Sequence, residues 1–223
     1  MVHSQSTSLV LSDLGFSVTD EPLEIILTKA GLSPICGVDE AGRGPLAGPV
    51  VAAAVIFRDC EAVWSARDSK TLTKRRRETC YRAITESLQY AVGVCSHEEI
   101  DELNILQASL AAMTRAIAGL DNVPKMILVD GIHAPKACGL VKPIRKGDAL
   151  VATIGAASIV AKVHRDRIME EFDRVYPGYG FARHMGYPTE QHRTALKRLG
   201  PCPIHRRTFK GVRELLQTAA DAQ

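Results

Sequence analysis

Two runs of β-branched and apolar residues, ICGVD at 35–39 and PVVAAAVIF at 49–57, lie on either side of a stretch rich in glycine and proline. Such runs are typical of strands, and the glycines and prolines between them are typical of a turn. The pattern therefore predicts two consecutive strands. Crossing a bilayer takes about 20 apolar residues. Because the longest apolar run, Val50 to Phe57, is far shorter, no membrane span is expected.

The rest of the chain alternates between helical and strand-like patterns. Ser96 and Glu99 fit a capping box at the start of a helix. The order of elements predicts a mixed five-stranded sheet in an α/β layer architecture. Further strands are expected at 90–95, 125–130 and 140–144, and helices at 22–30, 73–88, 97–120, 148–176, 189–199 and 211–219.

The cysteines and the first residues of the chain indicate in which cellular compartment the protein is expected. None of the six cysteines forms a C-x-x-C pair, which argues against a structural zinc site and favours reduced thiols that mostly serve as small core residues. The first residues lack the basic start and long apolar core of a signal peptide. We therefore expect a cytoplasmic protein.

Charge is distributed unevenly along the chain, although the net charge is only +3. Residues 162–214 hold twelve Lys and Arg against six Asp and Glu, so that this segment alone carries +6. A basic C-terminal third is compatible with a phosphate-bearing partner. Helices whose surfaces simply carry scattered basic side chains would give the same composition.

Four acidic residues lie where carboxylates are costly. Asp39 and Glu40 come at the end of the first strand, Asp130 ends the apolar run MILV, and Asp148 opens a helix. Acids that end buried strands tend to lie at the carboxyl edge of a sheet, where α/β folds bind ligands. Singly, Asp148 could be a helix N-cap and Asp130 with Gly131 a turn. For Asp39 and Glu40 to reach one site, the strand must end or kink between them.

Converging carboxylates need a counter-charge, because two of them about 4 Å apart repel by about 4 kcal/mol at an effective dielectric of 20. All-oxygen ligands select Mg²⁺ or Mn²⁺ rather than zinc. Carboxylates that hold two such ions can hydrolyse a phosphodiester by in-line displacement. The acids therefore indicate a two-ion hydrolase as one hypothesis.

The stretch Gly42-Arg43-Gly44-Pro45-Leu46-Ala47 formally fits the dinucleotide fingerprint G-x-G-x-x-A, so a nicotinamide-dependent oxidoreductase is an alternative. That fingerprint must open a helix, whereas a strand-like run follows here, and two acids precede the glycines. A backbone nest that approaches a phosphate or a sugar hydroxyl, with Arg43 nearby, explains the glycines better. A tight turn between two strands remains an equally simple explanation.

Seven sequence motifs resemble those of type II ribonuclease H and occur in the same order, over about residues 35–213. The first and fourth acid motifs are long enough to be specific. The motifs are GVDEAGRGPLAGPVVAAAV at 37–55, RDSKTLTKRRRE at 67–78, LNILQASLAAMTRAI at 103–117, ILVDG at 127–131, KGDALVATIGAASIVAKVHRDRIM at 146–169, YPGYGFARHMGYPTEQH at 176–192 and IHRRTF at 204–209.

The resemblance implies a ribonuclease-H-like sheet flanked by helices. Residues 34–175 would form the catalytic domain, 176–223 a helical substrate-binding extension, and 1–33 an N-terminal extension of unknown role. It also implies site residues: Asp39, Glu40, Asp130 and Asp148 as catalytic metal ligands; Gly42, Arg43 and Gly44 at the 2′-hydroxyl of a ribonucleotide; Ser69 and Lys70 on the substrate backbone; and Tyr187 on the neighbouring sugar.

The implied activity is metal-dependent endonucleolytic cleavage of RNA in RNA–DNA hybrids and at ribonucleotides within duplex DNA, by a monomer without a membrane partner. A binding module that has lost catalysis is the other alternative, although the acid set is intact. Two departures from the family pattern are Ile132-His133, where Asn-Arg is common, and Gly155, where Ala is usual. From its sequence alone, Tyr187 could also be a core residue.

Overall fold

A mixed five-stranded sheet forms the centre of the computed structural model, which describes residues 11–15, 21–66 and 72–221. The strands are β1 (Ile35–Ala41), β2 (Val50–Ile56), β3 (Tyr90–Cys95), β4 (Met126–Asp130) and β5 (Leu140–Ile144). Their order across the sheet is β3-β2-β1-β4-β5. The β1–β2 and β2–β3 pairs are antiparallel, and the β1–β4 and β4–β5 pairs are parallel. The predicted sheet is thereby confirmed.

Helices cover both faces of this sheet. Because side chains alternate along a strand, Ala52 and Ala54 of β2 face the core that contains the helix at 105–118, whereas Ala53 and Val55 face the core that contains the helix at 152–175. The helices are α1 (Leu23–Lys29), α2 (Glu61–Trp64), α3 (Lys74–Ser87), α4 (His97–Leu103), α5 (Ile105–Ala118), α6 (Gly147–Leu150), α7 (Ala152–Val175), α8 (Phe181–His184), α9 (Glu190–Leu199) and α10 (Arg213–Asp221).

Two helices that the sequence predicts as continuous are interrupted. The capping box of Ser96 and Glu99 is present, but α4 ends before Asn104, which has a φ of 68°. The Asn104 side chain accepts hydrogen bonds from the N–H groups of Leu106 and Gln107 and so begins α5. The helix expected from residue 148 is likewise divided at Val151, whose backbone is extended between α6 and α7. The prediction of single helices was therefore wrong at both places.

The sequence led us to expect free cysteines that mostly pack in the core, and no membrane-spanning segment. All six cysteines are free; Cys36 and Cys95 are buried and Cys138 is exposed. Cys60, Cys80 and Cys202 are partly buried and pack against core clusters. In the described ranges, no helix is both long and apolar enough to cross a membrane.

The N-terminal helix α1, for which the sequence suggested no role, supplies a cap to α7. Leu23 and Leu27 pack into the core beside β1 and β4. The fully buried Glu24 accepts hydrogen bonds at Oε1 from the backbone N–H of Thr153, at 3.0 Å, and from the Thr153 hydroxyl, at 3.1 Å. Because the N-cap residue Val151 offers no side-chain hydrogen bond, Glu24 replaces a local cap.

We predict that Glu24→Ala lowers the free energy of unfolding by about 1–3 kcal/mol, because the buried donors of Thr153 lose their acceptor. Urea unfolding measures the change. Glu21→Ala is the matched control, since Glu21 makes an exposed ion pair with Lys29, and it should change stability by less than about 1 kcal/mol. Equal effects of the two variants would contradict the capping role.

Candidate active site

The parallel pairing of β1 with β4 brings three of the four acids to one edge of the sheet. The last Cα partners of this pair are Val38 and Val129. Asp39 and Glu40 follow Val38 on β1, and Asp130 follows Val129 as the last residue of β4. Since parallel strands have their carboxyl ends on the same side, the acids meet where β4 stops and β1 continues.

The sequence led us to expect that the strand ends or kinks between Asp39 and Glu40. This was wrong, because the pairing of β1 with β2 is unbroken there. The strand continues to Ala41, which pairs with Val51 of β2. The two acids still approach one site because β4 ends beside them. Asp39 interacts with Ser158 on α7, whereas Glu40 contacts Arg43 at 3.1 Å.

Asp148 reaches the same edge through a tight turn after β5. Lys146 has a φ of 58°, and a Cβ on Gly147 would lie only 2.6 Å from Cδ1 of Ile154. The turn places Asp148 inside α6 rather than at its N-cap, so the explanation as an ordinary N-cap is wrong. The backbone N–H of Asp148 points at Oδ1 of Asp130, at 3.4 Å, and its side chain is buried.

Burial and crowding make Asp39 and Glu40 reluctant to ionise. Desolvation raises the pKa of Asp39 well above its ordinary value, and the charges of Glu40 and Asp130 raise it further, whereas a hydrogen bond from Ser158 opposes the shift. Burial also raises the pKa of Glu40, against the effect of Arg43. An additional positive charge at this edge would relieve the strain.

The donor set fits a hard divalent cation. Oε2 of Glu40 is buried and makes no hydrogen bond with any described residue. The four acids offer only oxygen ligands, the kind that Mg²⁺ and Mn²⁺ prefer. As they stand, no three acidic, histidine or cysteine side chains of the described ranges are arranged to hold an ion together. Binding would therefore have to draw the carboxylates closer.

Two cavities adjoin at the acids. One of about 420 Å³ is lined by the glycine stretch, Tyr187, Ser158, Lys162 and Arg77, and one of about 290 Å³ by Asp130 and the loop after it. Glu40 and Arg43 line both. A larger cavity of about 710 Å³ between α3 and α7 shares Arg77 with the first but contains none of the four acids. Glu40 and Asp130 thus line a groove, and Asp39 and Asp148 are buried next to them.

Gly42 and Gly44 of the loop differ in whether the structure requires a glycine at that position. Gly42 has a φ of 98°, and a Cβ there would lie 2.0 Å from Nε of Arg165, so only glycine fits. A Cβ on Gly44 would make an ordinary contact, 3.6 Å from Cε1 of Tyr187. The loop enters strand β2 rather than a helix, which removes the basis for the nicotinamide alternative.

Tyr187 is not a core residue, because its side chain is 40% exposed beside Gly44. Its carbonyl lies 3.0 Å from Nδ1 of the buried His192, and Nε2 of His192 lies 3.1 Å from Nε2 of His205. Burial lowers the pKa of each histidine to about 4, so both rings are neutral near pH 7. Two hydrogen-bonded rings therefore support the backbone that presents Tyr187.

Sequence reasoning missed four side chains that line the groove. They are Ser158, Lys162, Arg77 and Arg145. The spacing of Ser158 and Lys162, one helical turn apart on α7, was a usable signal. Ser69 and Lys70, the predicted backbone contacts, lie outside the described residues.

The fold and family follow from comparison with known proteins. The crystal structure of the ribonuclease H2 from Pyrococcus horikoshii OT3 superposes with a TM-score of 0.71 at 30% identity, covering 82% of this chain and 97% of that one. The fold is therefore that of a ribonuclease-H-like nuclease. The chain belongs to the ribonuclease HII family, whose model, described as Ribonuclease HII, matches residues 36–212. It is accordingly an endoribonuclease that degrades RNA in RNA–DNA hybrids.

Curated relatives agree over most of the chain. The chain is 55% identical to Ribonuclease HII of Albidiferax ferrireducens over 191 residues, which are 85% of this chain and 91% of that protein. It is 53% identical to Ribonuclease HII of Nitrosococcus oceani over 184 residues, 82% of this chain and 92% of that protein. Proteins of this class use divalent metal ions.

We predict that Asp39→Asn is at least as stable as wild type when chelator is present at about pH 8. In the folded state the raised pKa keeps a proton on Asp39 that the unfolded chain loses near pH 4. Stability therefore falls as the pH rises from about 4 to the raised pKa, and the variant lacks this part of the loss. Urea unfolding across this pH range measures the difference.

The same variant should gain less stability from Mg²⁺ than wild type does, because a ligand of the folded state is missing. Glu102→Gln removes an exposed carboxylate away from the groove and is expected to match wild type in both measurements. If Asp39→Asn is clearly less stable than wild type in chelator, the carboxylate stabilises the metal-free fold and the electrostatic argument is wrong.

Proposed function

We propose that this enzyme cuts on the 5′ side of ribonucleotides, both in RNA–DNA hybrids and in duplex DNA that contains single ribonucleotides. The products would carry 5′-phosphate and 3′-hydroxyl ends. The observation that carries the proposal is the meeting of Asp39, Glu40, Asp130 and Asp148 beside the Gly42–Gly44 loop. The resemblance to type II ribonuclease H assigns the same residues to metal and ribose.

Asp39, Glu40, Asp130 and Asp148 would hold two divalent ions, Mg²⁺ or Mn²⁺. When bound, such ions activate water for in-line attack and stabilise the leaving oxygen of the phosphodiester. The protein side chains contribute orientation. Ser158 fixes Asp39 by a hydrogen bond, and Arg43 fixes Glu40. Asp130 accepts a hydrogen bond from the backbone N–H of Asp148, which keeps these two acids together.

The groove offers positive charge on both sides of the acids. Arg77 and Lys162 line the cavity next to the glycine loop, and Arg145 lines the other. A strand that crossed the acids would therefore meet basic side chains before and after the scissile phosphate, which positions it without reading its bases. Ser69 and Lys70 remain predicted backbone contacts.

The Gly42–Gly44 backbone would read the 2′-hydroxyl, the group that distinguishes a ribonucleotide from a deoxyribonucleotide. Because Arg43 contacts Glu40 at 3.1 Å, a ribose held by this loop lies next to the acids. The half-exposed ring of Tyr187 would pack on the neighbouring deoxyribose. We expect a monomer, and the cytoplasmic location also stays a prediction.

The direct test is cleavage of a labelled duplex that holds one ribonucleotide, in Mg²⁺, in Mn²⁺ and in chelator. We expect one cut, on the 5′ side of the ribonucleotide, with either ion and none with chelator. Cleavage that persists in chelator would contradict the metal-dependent mechanism. A cut at another bond would contradict the assigned recognition.

We predict that Asp130→Asn lowers turnover by about 10²–10³-fold or more, the range expected when one electrostatic stabiliser of the transition state is lost. Duplex affinity should stay close to wild type, since it depends mainly on basic contacts. Single-turnover kinetics and a binding titration separate the two. Asp121→Asn, which changes an exposed aspartate outside the groove, is the control. Unchanged turnover in Asp130→Asn would remove Asp130 from the site.

We predict that Tyr187→Ala slows cleavage at a single embedded ribonucleotide on the order of 10²-fold, because small positioning errors are that costly. A continuous RNA strand should be affected less. The measurement is kcat/KM on both duplexes. Tyr187→Phe keeps the ring and should behave like wild type. If Tyr187→Ala cleaves the single-ribonucleotide duplex as fast as wild type, Tyr187 has no part in positioning.

A further inference from the structure

Two fully buried arginines lie under the glycine loop. Arg165 belongs to α7, and Arg206 follows His205 near the C-terminus; both are 0% exposed. Burying a charge is expensive unless it is paired and hydrogen-bonded. In the described ranges, neither guanidinium makes an ion pair with a carboxylate, and their seven hydrogen bonds go to backbone carbonyls. The loop itself is therefore what these charges stabilise.

Arg206 takes most of its acceptors from the loop. Its Nη2 donates to the carbonyl of Gly42, at 2.6 Å, and its Nη1 to that of Arg43, at 3.0 Å. Its Nε donates to Gly48 at 2.9 Å, and Nη2 also reaches Pro49 at 3.2 Å. One planar group thus spans both ends of the loop between β1 and β2.

Arg165 completes the arrangement from the side of α7. It donates to the carbonyls of Pro49, at 3.0 Å, and Ala47, at 3.2 Å. Its third hydrogen bond goes to the carbonyl of Met185, at 3.0 Å, two residues before Tyr187. The same guanidinium therefore joins the glycine loop to the segment that presents Tyr187.

These bonds fix the direction of the peptide N–H groups. In a planar trans peptide the C=O and the following N–H point in opposite directions. Since the carbonyls of Gly42 and Arg43 point down at Arg206, the N–H groups of Arg43 and Gly44 point away from it. Residues 42–44 line the 420 Å³ cavity, whereas Arg206 and Arg165 are not among its lining residues. The groove is therefore on the side of the loop away from the arginines, the side to which these donors point.

The charges beneath the loop act in the same direction as the peptide dipoles. Burial lowers the pKa of Arg206 to about 9 and that of Arg165 to about 10, so both remain protonated near pH 7. A fixed positive charge behind the loop strengthens its attraction for electron-rich oxygens in front. Lysine could supply the charge but not the planar fork that holds several carbonyls at once.

We propose that Arg206, assisted by Arg165, is a positioning residue for ribonucleotide selection, because it turns the N–H groups of Arg43 and Gly44 towards the substrate sugar. The inference rests on the proposed role of the Gly42–Gly44 loop and adds the groups that orient it. Arg206 itself lies behind the loop and acts only through it.

The test is Arg206→Lys, which keeps the charge and loses the fork. The readout is a selectivity ratio, defined as the affinity for a duplex with one ribonucleotide divided by that for the all-DNA duplex, measured in chelator. We expect this ratio to fall about tenfold, as when one well-placed hydrogen bond is lost. Stabilisation by Mg²⁺ should stay as in wild type, because the acids are untouched. A ratio equal to that of wild type would overturn the proposal.

Arg115→Lys is the matched control. Arg115 also serves a structural role through hydrogen bonds to Val94 and Glu99, but it does not line the groove. It should lose stability without any change in the selectivity ratio. If the ratio falls as far in Arg115→Lys as in Arg206→Lys, general loosening explains the effect and the proposal fails.

A measurement on the unsubstituted protein decides the matter if Arg206→Lys does not fold. The amides of Arg43 and Gly44 should exchange hydrogen quickly in the free protein and slowly with the ribonucleotide duplex, but not with the all-DNA duplex. Amides already protected in the free protein would overturn the proposal. If wild type shows no preference between the duplexes, the proposed role of the loop fails; if wild type prefers ribonucleotide and Arg206→Lys does too, only this inference fails.

Discussion

The contact of α7 with β1 at Gly37 determines where the functional groups lie. A Cβ on Gly37 would be 2.3 Å from the backbone carbon of Thr153, so helix and strand touch backbone to backbone. From this point α7 runs roughly 24 Å to Met169, at 1.5 Å per residue. On the way it places Ser158 against Asp39 and Arg165 under Gly42. A shift of this helix would change the acids and the glycine loop together.

The same strand and loop keep the two buried arginines apart from the acids, so that among the loop residues it is Arg43 that pairs with Glu40. The acids crowd at the carboxyl edge of the sheet, where burial raises the pKa of Asp39, whereas Arg165 and Arg206 lie behind the loop that follows. If the arginines paired with the acids, the carboxylates would be neutralised and would no longer need a cation. Under the proposed mechanism, this separation would leave the acids available for metal and the loop available for a sugar.

Local signals in the sequence predicted much of the fold and the four acids. The capping box of Ser96 and Glu99 and the strand 90–95 depend on neighbouring residues alone, and both are present. The break at Asn104 was missed because apolar periodicity continues through it, although asparagine tolerates a positive φ and often caps helices. What no local pattern could reveal are contacts between distant segments, such as Glu24 with Thr153 and Arg206 with Gly42.

The length of the loop between β1 and β2 argues that it does more than connect them. Antiparallel neighbours can be joined by two residues, yet eight, residues 42–49, lie between these strands. They include a left-handed Gly42 and rest on two desolvated charges, which are costly features for a plain turn. Local costs of this kind persist in proteins mainly where function requires them. The sequence left an equal choice between a nest and a tight turn, and these features favour the nest.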